Sequence, residues 1–235
     1  MTAARPAVRS GEPAGAAAVT PDGGSGDILV ALDAETAALA RVAARLASGS
    51  EDEVEAVLRG ALDGAPAERV RPGWVEEVLL QTYLFAGFPR ALNGMHAWRR
   101  LSGRPAPGVD GGARPRAGWG EDGARTCAAV YGAHYGRLRA HVRALHPALD
   151  DWMLEEGYGK VLSRPGLDLP RRELCIVAAC AVTGQRRQLR AHLRGARNAG
   201  VAAAVVSAVL ETVVPLAPPE AAPGVWEAWR QVQGG

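Results

Sequence analysis

Apolar residues recur every three to four positions along most of this chain, a spacing that predicts amphipathic helices. No segment alternates apolar and polar residues as a half-buried strand would, so the pattern indicates an all-α fold. Glycine and proline residues mark the ends of the helices. The predicted helices cover residues 34–48, 51–63, 74–87 with a continuation to about 101, 122–145, 148–162, about 170–183, 186–198, 202–214 and 219–232.

Part of the sequence is repeated. When the chain is aligned with itself so that residues 42–61 meet residues 177–196, nine of these twenty pairs are identical, including the block Leu-Arg-Gly-Ala. A second register, close to the first, continues the match and pairs Trp98 with Trp229. Similarity at a fixed spacing predicts two copies of one helical unit.

The two copies differ where chemistry is expected. His192 in the second copy pairs with Val57 in the first. The segment 87–89 (Gly-Phe-Pro) in the first copy is replaced by Pro-Pro-Glu at 218–220 in the second. The second copy retains the histidine and the first copy retains the Gly-Phe-Pro segment. We therefore expect one functional site assembled from both copies, with His192 facing Phe88.

The composition divides the chain into four parts. Residues 1–26 are rich in Ala, Pro and Gly and predict a disordered tail. Residues 27–101 hold the first, degenerate copy, and residues 102–120, rich in Gly, Pro and Arg, predict a linker. Residues 121–235 hold leader helices followed by the second copy.

Charge and cysteine content exclude several classes of function. A net charge of +2 predicts no attraction to nucleic acid, and no apolar run is long enough to span a membrane. The three cysteines form no CxxC motif and suggest no disulfide framework, so we expect a cytoplasmic protein. The histidines at 134 and 141 lack acidic or thiol neighbours at ligand spacing, and no metal or other cofactor is expected.

An ordered set of short motifs carries a family resemblance. The set comprises Arg164-Pro165-Gly166-Leu167-Asp168, Arg172-Glu173-Leu174, Gly184, the run from Gln188 to Ala196, and Asn198-Ala199-Gly200. It resembles the carboxymuconolactone decarboxylase family, and the segments 80–83 and 86–93 are similar to that family's C-terminal signature. The resemblance implies two repeats of an alkylhydroperoxidase D-like helical unit.

One branch of this family consists of thiol peroxidases, which need a CxxC with a histidine four residues after its second cysteine. Counting back from His192, the cysteine positions are occupied by Gln185 and Gln188. Since an amide cannot form a thiolate, the resemblance favours the other branch. A peroxidase remains possible only if Cys127 approaches the site.

The other branch consists of decarboxylases without a cofactor, acting on a small unsaturated lactone that bears carboxylates. The resemblance makes His192 the proton donor, because histidine exchanges protons near neutral pH. Glu173 lies eleven residues before Gly184, and His192 lies eight residues after it. In an antiparallel pair of helices joined at Gly184, the two side chains are therefore at similar positions along the helix axes, and Glu173 is the second catalytic candidate. The substrate-binding candidates are Arg190, Arg194, Gln188, Tyr83 and Asn93.

Other interpretations of these residues stay open. His192 can be a packed core or interface histidine, Glu173 can pair with a neighbouring arginine, and the two flanking arginines can be solvated. The chain is then an inactive family member that serves as an assembly or interaction module. Because family members form rings of dimers, the fused pair predicts a homotrimer with a small-molecule substrate as its other partner.

Overall fold

The computed structural model describes residues 29–65 and 69–234, and within these ranges the chain is helical with no β-strand. This confirms the all-α prediction, whereas the predicted tail at 1–26 lies outside the described residues. The helices are α1 Ala34–Ser48, α2 Glu51–Asp63, α3 Pro72–Ser102, α4 Trp119–Tyr131, α5 Tyr135–Leu145, α6 Pro147–Trp152, a π-helix Met153–Leu162, α7 Leu169–Val182, α8 Arg186–Asn198, α9 Ala203–Val213 and α10 Ala222–Gln233.

Helix α1 lies at the centre of the fold and packs against α7 and α3. Small and branched apolar residues form this contact, with Val42 and Ala44 from α1 and Ile176 and Ala178 from α7 all fully buried. Their burial supplies the main favourable free energy of this fold.

The N-termini of α1 and α7 are linked to each other. Asp33 caps α1 by accepting from the amide of Thr36, and Asp168 caps α7 by accepting from the amide of Arg171. The guanidinium of Arg171 then reaches Asp33 (Nη2–Oδ2, 2.9 Å). One arginine thereby fixes the beginnings of both central helices side by side.

The positions of the helices agree with the predicted duplication. The register that aligns residues 42–61 with 177–196 also aligns the first residue of α1 with that of α7, and the first residue of α2 with that of α8. The register that pairs Trp98 with Trp229 likewise aligns the first residues of α3 and α9. This agreement supports the duplication, which superposition of the two halves would test.

Two predicted boundaries are wrong. The predicted helix 122–145 is divided into α4 and α5, because Gly132 adopts a φ of +51° that ends α4. The predicted linker is shorter than 102–120, since α3 continues to Ser102 and α4 already begins at Trp119. The break predicted near Gly87 is confirmed by its φ of +83° within α3.

Candidate active site

His192 and Glu173 form a buried pair between α8 and α7. The Nδ1 atom of His192 lies 2.9 Å from Oε2 of Glu173. Glu173 is fully buried and His192 is 5% exposed. A carboxylate at this distance fixes the orientation of the ring and the position of its proton.

A glycine in α8 makes this approach possible. A Cβ atom on Gly195 would lie 2.4 Å from Oε2 of Glu173 and 2.7 Å from Cγ1 of Val130. Both distances are shorter than van der Waals contact. Gly195 therefore provides the space in which the carboxylate reaches His192.

The first half of the chain contributes an aromatic contact to His192. The ring of Phe85, in α3, meets the imidazole edge-on, with centroids 5.9 Å apart and an angle of 86°. Phe88, which the sequence placed opposite His192, is 61% exposed and stacks on Tyr83 at 4.9 Å. The ring contact between the halves is thus made by Phe85.

Three neutral polar side chains lie close enough to Glu173 to be affected by its charge. Burial raises the pKa values of Cys127, Cys180 and Tyr131 to about 12, and the negative charge of Glu173 adds to each shift. The Oε1 atom of Glu173 is buried and has no hydrogen-bond partner among the described residues. Within that part of the chain, Glu173 is therefore held by His192 alone, in surroundings that disfavour further charge.

The predicted substrate-binding residues are dispersed. Gln188 and Arg194 lie exposed on α8, while Arg190 is half-buried and donates to Oε1 of Gln231 at 3.2 Å. Asn93 is exposed in α3 and donates to Oε1 of Glu51 at 3.2 Å. The hydroxyl of Tyr83 is buried without a partner in the described part of the chain.

Sequence reasoning missed a buried ionic network next to the site. Arg172, which precedes Glu173, is fully buried and donates to Oε2 of Glu77 in α3 at 2.8 Å. Gln81 donates to the carbonyl of Arg172, and Arg164 also pairs with Glu77. Glu77 lies beside the apolar stripe of Val75, Val78 and Leu79, and the local pattern does not show that it is buried.

It also missed Lys160, the single lysine among 27 basic residues. Its ammonium lies 5.6 Å from the ring centre of Tyr83 and 5.5 Å from that of Trp119, within cation–π range. Lys160 belongs to the π-helix, a conformation that often marks functional sites. The sequence offered one signal for this residue, namely that it is the single lysine of the chain.

Two cavities lie away from His192. One has a volume of about 620 Å³ and lies between the α1–α2 corner and the second part of α3. The other has about 280 Å³ and lies between the α7–α8 corner and the start of α10; His192 lines neither. Within residues 29–65 and 69–234, no three acidic, histidine or cysteine side chains are grouped to hold a metal ion, and no helix is long and apolar enough to cross a membrane.

The comparison with known families covers the part of the chain that holds the buried pair. The sequence model of the carboxymuconolactone decarboxylase family matches residues 147–233, from the start of α6 to the end of α10. No curated protein matches the chain. His192 and Glu173 both lie within the matched region, so the buried pair belongs to the part of the chain that is similar to this family.

Proposed function

We propose that this chain is a lyase that needs no cofactor and decarboxylates a small carboxylated lactone or a related acid. The observation that supports this most is the buried pair of His192 and Glu173 inside the region that is similar to this family. A histidine oriented by a carboxylate is a suitable proton donor near neutral pH.

The proposed reaction assigns a different role to each ring nitrogen. Glu173 engages Nδ1, while Nε2 makes no hydrogen bond to any described residue. In the substrate, the bond between carbon and carboxylate breaks, CO₂ leaves, and the electron pair moves into the conjugated lactone carbonyl. Nε2–H of His192 then protonates the carbanionic carbon, and the ring regains its proton from solvent. His192 is the catalytic residue and Glu173 its positioning residue.

The remaining carboxylate of the substrate needs a cation. Arg190 and Arg194 stay the proposed groups, although two positions along an ideal helix direct their side chains away from His192. The exposed position of Arg194 allows it to serve a cleft that a second subunit closes. We therefore place the complete substrate site in the oligomer.

A thiol peroxidase is less well supported. Burial raises the pKa values of Cys127, Cys175 and Cys180 to about 12, so none forms a thiolate near neutral pH. Gln185 and Gln188 occupy the positions at which that branch has its reactive cysteines. These two facts together favour the lyase.

The second candidate function is an inactive assembly module. Its support is that His192 lines neither of the two cavities and that large apolar side chains are exposed on α3. In this case, the His192–Glu173 pair serves packing only.

Release of CO₂ from carboxymuconolactone distinguishes the lyase from the inactive assembly module. The wild-type chain is expected to turn over this lactone, and His192→Gln is expected to lose about 100-fold or more in kcat. Glu173→Gln should lose less in kcat and leave KM nearly unchanged, since it changes the orientation of the ring and not a contact to the substrate. Arg125→Gln, on the exposed side of α4, is the control and should match the wild type.

The peroxidase alternative is measured in parallel with an organic hydroperoxide. Little turnover is expected, and alkylation of the thiols should leave decarboxylation intact. A folded wild-type chain that releases no CO₂ would support the assembly module instead. Thiol-dependent peroxide turnover would contradict both.

A further inference from the structure

The 620 Å³ cavity in the first half of the chain has the dimensions of a small-molecule site. It opens between the turn that joins α1 to α2 and the segment of α3 that follows the break at Gly87. Because His192 does not line it, any ligand there is separate from the proposed reaction.

One cation in this cavity lacks an acidic partner. Arg90 is half-buried, and its Nη1 atom donates to two carbonyls at the end of α1, those of Leu46 at 3.3 Å and Gly49 at 2.9 Å. No carboxylate of the described residues forms an ion pair with it. Both carbonyls are neutral, so they do not offset the positive charge of the guanidinium. Its other N–H groups can still donate hydrogen bonds to a ligand.

The acidic residues at the rim are already engaged. Glu51 accepts from Asn93, and Glu55 pairs with Arg100. The pair with Arg100 reduces the repulsion that Glu55 would exert on an anion, whereas the neutral amide of Asn93 leaves the charge of Glu51 in place. A negative group is therefore favoured at Arg90, which has no ion pair with a carboxylate of the described residues.

Apolar side chains form another part of the lining. Leu46, Val54, Pro89 and Ala97 contribute carbon surface to the cavity. Arg100 also lines the cavity but is paired with Glu55, so an apolar wall beside the guanidinium of Arg90 suits a ligand with a carbon body and a single carboxylate.

The second half of the chain has a cavity at the corresponding place. When the two halves are aligned as above, eight of the twelve residues that line the 280 Å³ cavity are counterparts of residues that line the larger one. The counterpart of Arg90 is Ala221, and that of Asn93 is Gly224. The helical unit thus forms a cavity in both halves, but the arginine differs: the first half places Arg90 in α3, and the second places Arg186 at the start of α8.

We propose that the cavity of the first half binds a small carboxylate with an apolar or aromatic body, held through Arg90. Benzoate is the probe, because it carries one carboxylate on a flat apolar ring. Calorimetric titration of the full chain is expected to show one saturable site with a Kd of about 1 mM or below. Benzamide has the same shape without the charge and should bind at least about tenfold more weakly.

Two variants locate the site. Arg90→Gln should weaken benzoate at least about tenfold. Asn93→Trp should block the cavity from an exposed position, so it remains informative if Arg90→Gln fails to fold. Arg125→Gln is the matched control and should bind like the wild type.

The proposal is overturned if the wild-type chain shows no saturable benzoate binding. Unchanged binding in folded Arg90→Gln and Asn93→Trp would also overturn it. If His192→Gln loses benzoate binding and Arg90→Gln does not, then benzoate binds at His192 and not in this cavity. None of these results depends on whether the chain decarboxylates a lactone.

Discussion

Arg172 and Glu77 form a buried ion pair that joins α7 to α3. The Nη2 atom of Arg172 lies 2.8 Å from Oε2 of Glu77, and the same carboxylate also accepts from Nε of Arg164 at 2.9 Å. Arg172 additionally donates to the carbonyls of Leu167 and Arg164. Since Glu173 follows Arg172, this pair holds the beginning of the helix that orients His192.

Removal of the charge at Glu77 should strongly destabilise the fold. Glu77→Gln leaves the fully buried guanidinium of Arg172 without a carboxylate, while Arg164 keeps its pair with Asp110, and we expect a loss of about 3–5 kcal/mol in unfolding free energy. Urea denaturation followed by tryptophan fluorescence measures it. Glu121→Gln breaks an exposed pair with Arg125 and should change stability by less than about 1 kcal/mol. Equal effects of the two variants would contradict the buried network.

The repeated Leu-Arg-Gly-Ala block offers a matched pair of glycine substitutions. In Gly195→Ala, the new Cβ would collide with Glu173 and Val130, so we expect a loss of stability and displacement of Glu173 from His192. Gly60 has no atom within 4 Å of the same position. Gly60→Ala should therefore stabilise α2 by about 0.5–1 kcal/mol.

Thermal denaturation and histidine NMR compare these two variants. The His192 resonance is expected to move in Gly195→Ala and to stay in place in Gly60→Ala. If both substitutions stabilise the chain, then Gly195 does not make room for Glu173.

The three thiols should be unreactive in the folded protein. Burial raises the pKa values of Cys127, Cys175 and Cys180 to about 12, and only the thiolate reacts with a disulfide reagent. At pH 8, an aromatic disulfide reagent should label no thiol rapidly in the native protein and all three in urea. A thiol that reacts at the rate of free cysteine in the native state would refute the buried positions.

Acid should destabilise the protein through Asp150. Hydrogen bonds from Arg139 and Arg143 lower the pKa of this buried carboxyl to about 2. The unfolded chain binds the proton at a pKa near 3.9, so this stabilisation is present above about pH 4 and is lost as the pH falls towards 2. Asp150→Asn should be less stable at pH 7 and show a smaller decrease between pH 4 and 2. Parallel pH profiles of the two proteins, obtained by urea denaturation, would contradict this assignment.

The apolar surface of α3 should take part in self-association. Phe88 is 61% exposed and Leu92 is 55% exposed, and their spacing of four residues places them on one face of α3 as an apolar patch. We expect a homotrimer by light scattering at micromolar concentration, and dissociation in Phe88→Asp. Arg125→Gln should remain associated. A monomeric wild-type chain would refute the association.

Periodicity predicted most of the helices because each buries one face. The predicted bounds 34–48, 51–63 and 186–198 agree with α1, α2 and α8, where Asp33, Ser50 and Gly49 provide strong local signals for caps and breaks. The division of 122–145 was missed, since nothing in the local pattern shows that Gly132 adopts a positive φ. The conformation of that residue depends on what packs around it.

The sequence by itself determined the all-α class, the family resemblance and the choice of His192 and Glu173 as candidates. These follow from local spacing and from motifs, which are properties of short segments. Only the tertiary structure decided that Glu173 reaches Nδ1 of His192, that Phe85 contacts the ring, and that Arg172 in α7 meets Glu77 in α3. Such contacts depend on how helices cross in three dimensions, and the spacing of residues along one helix does not encode that crossing.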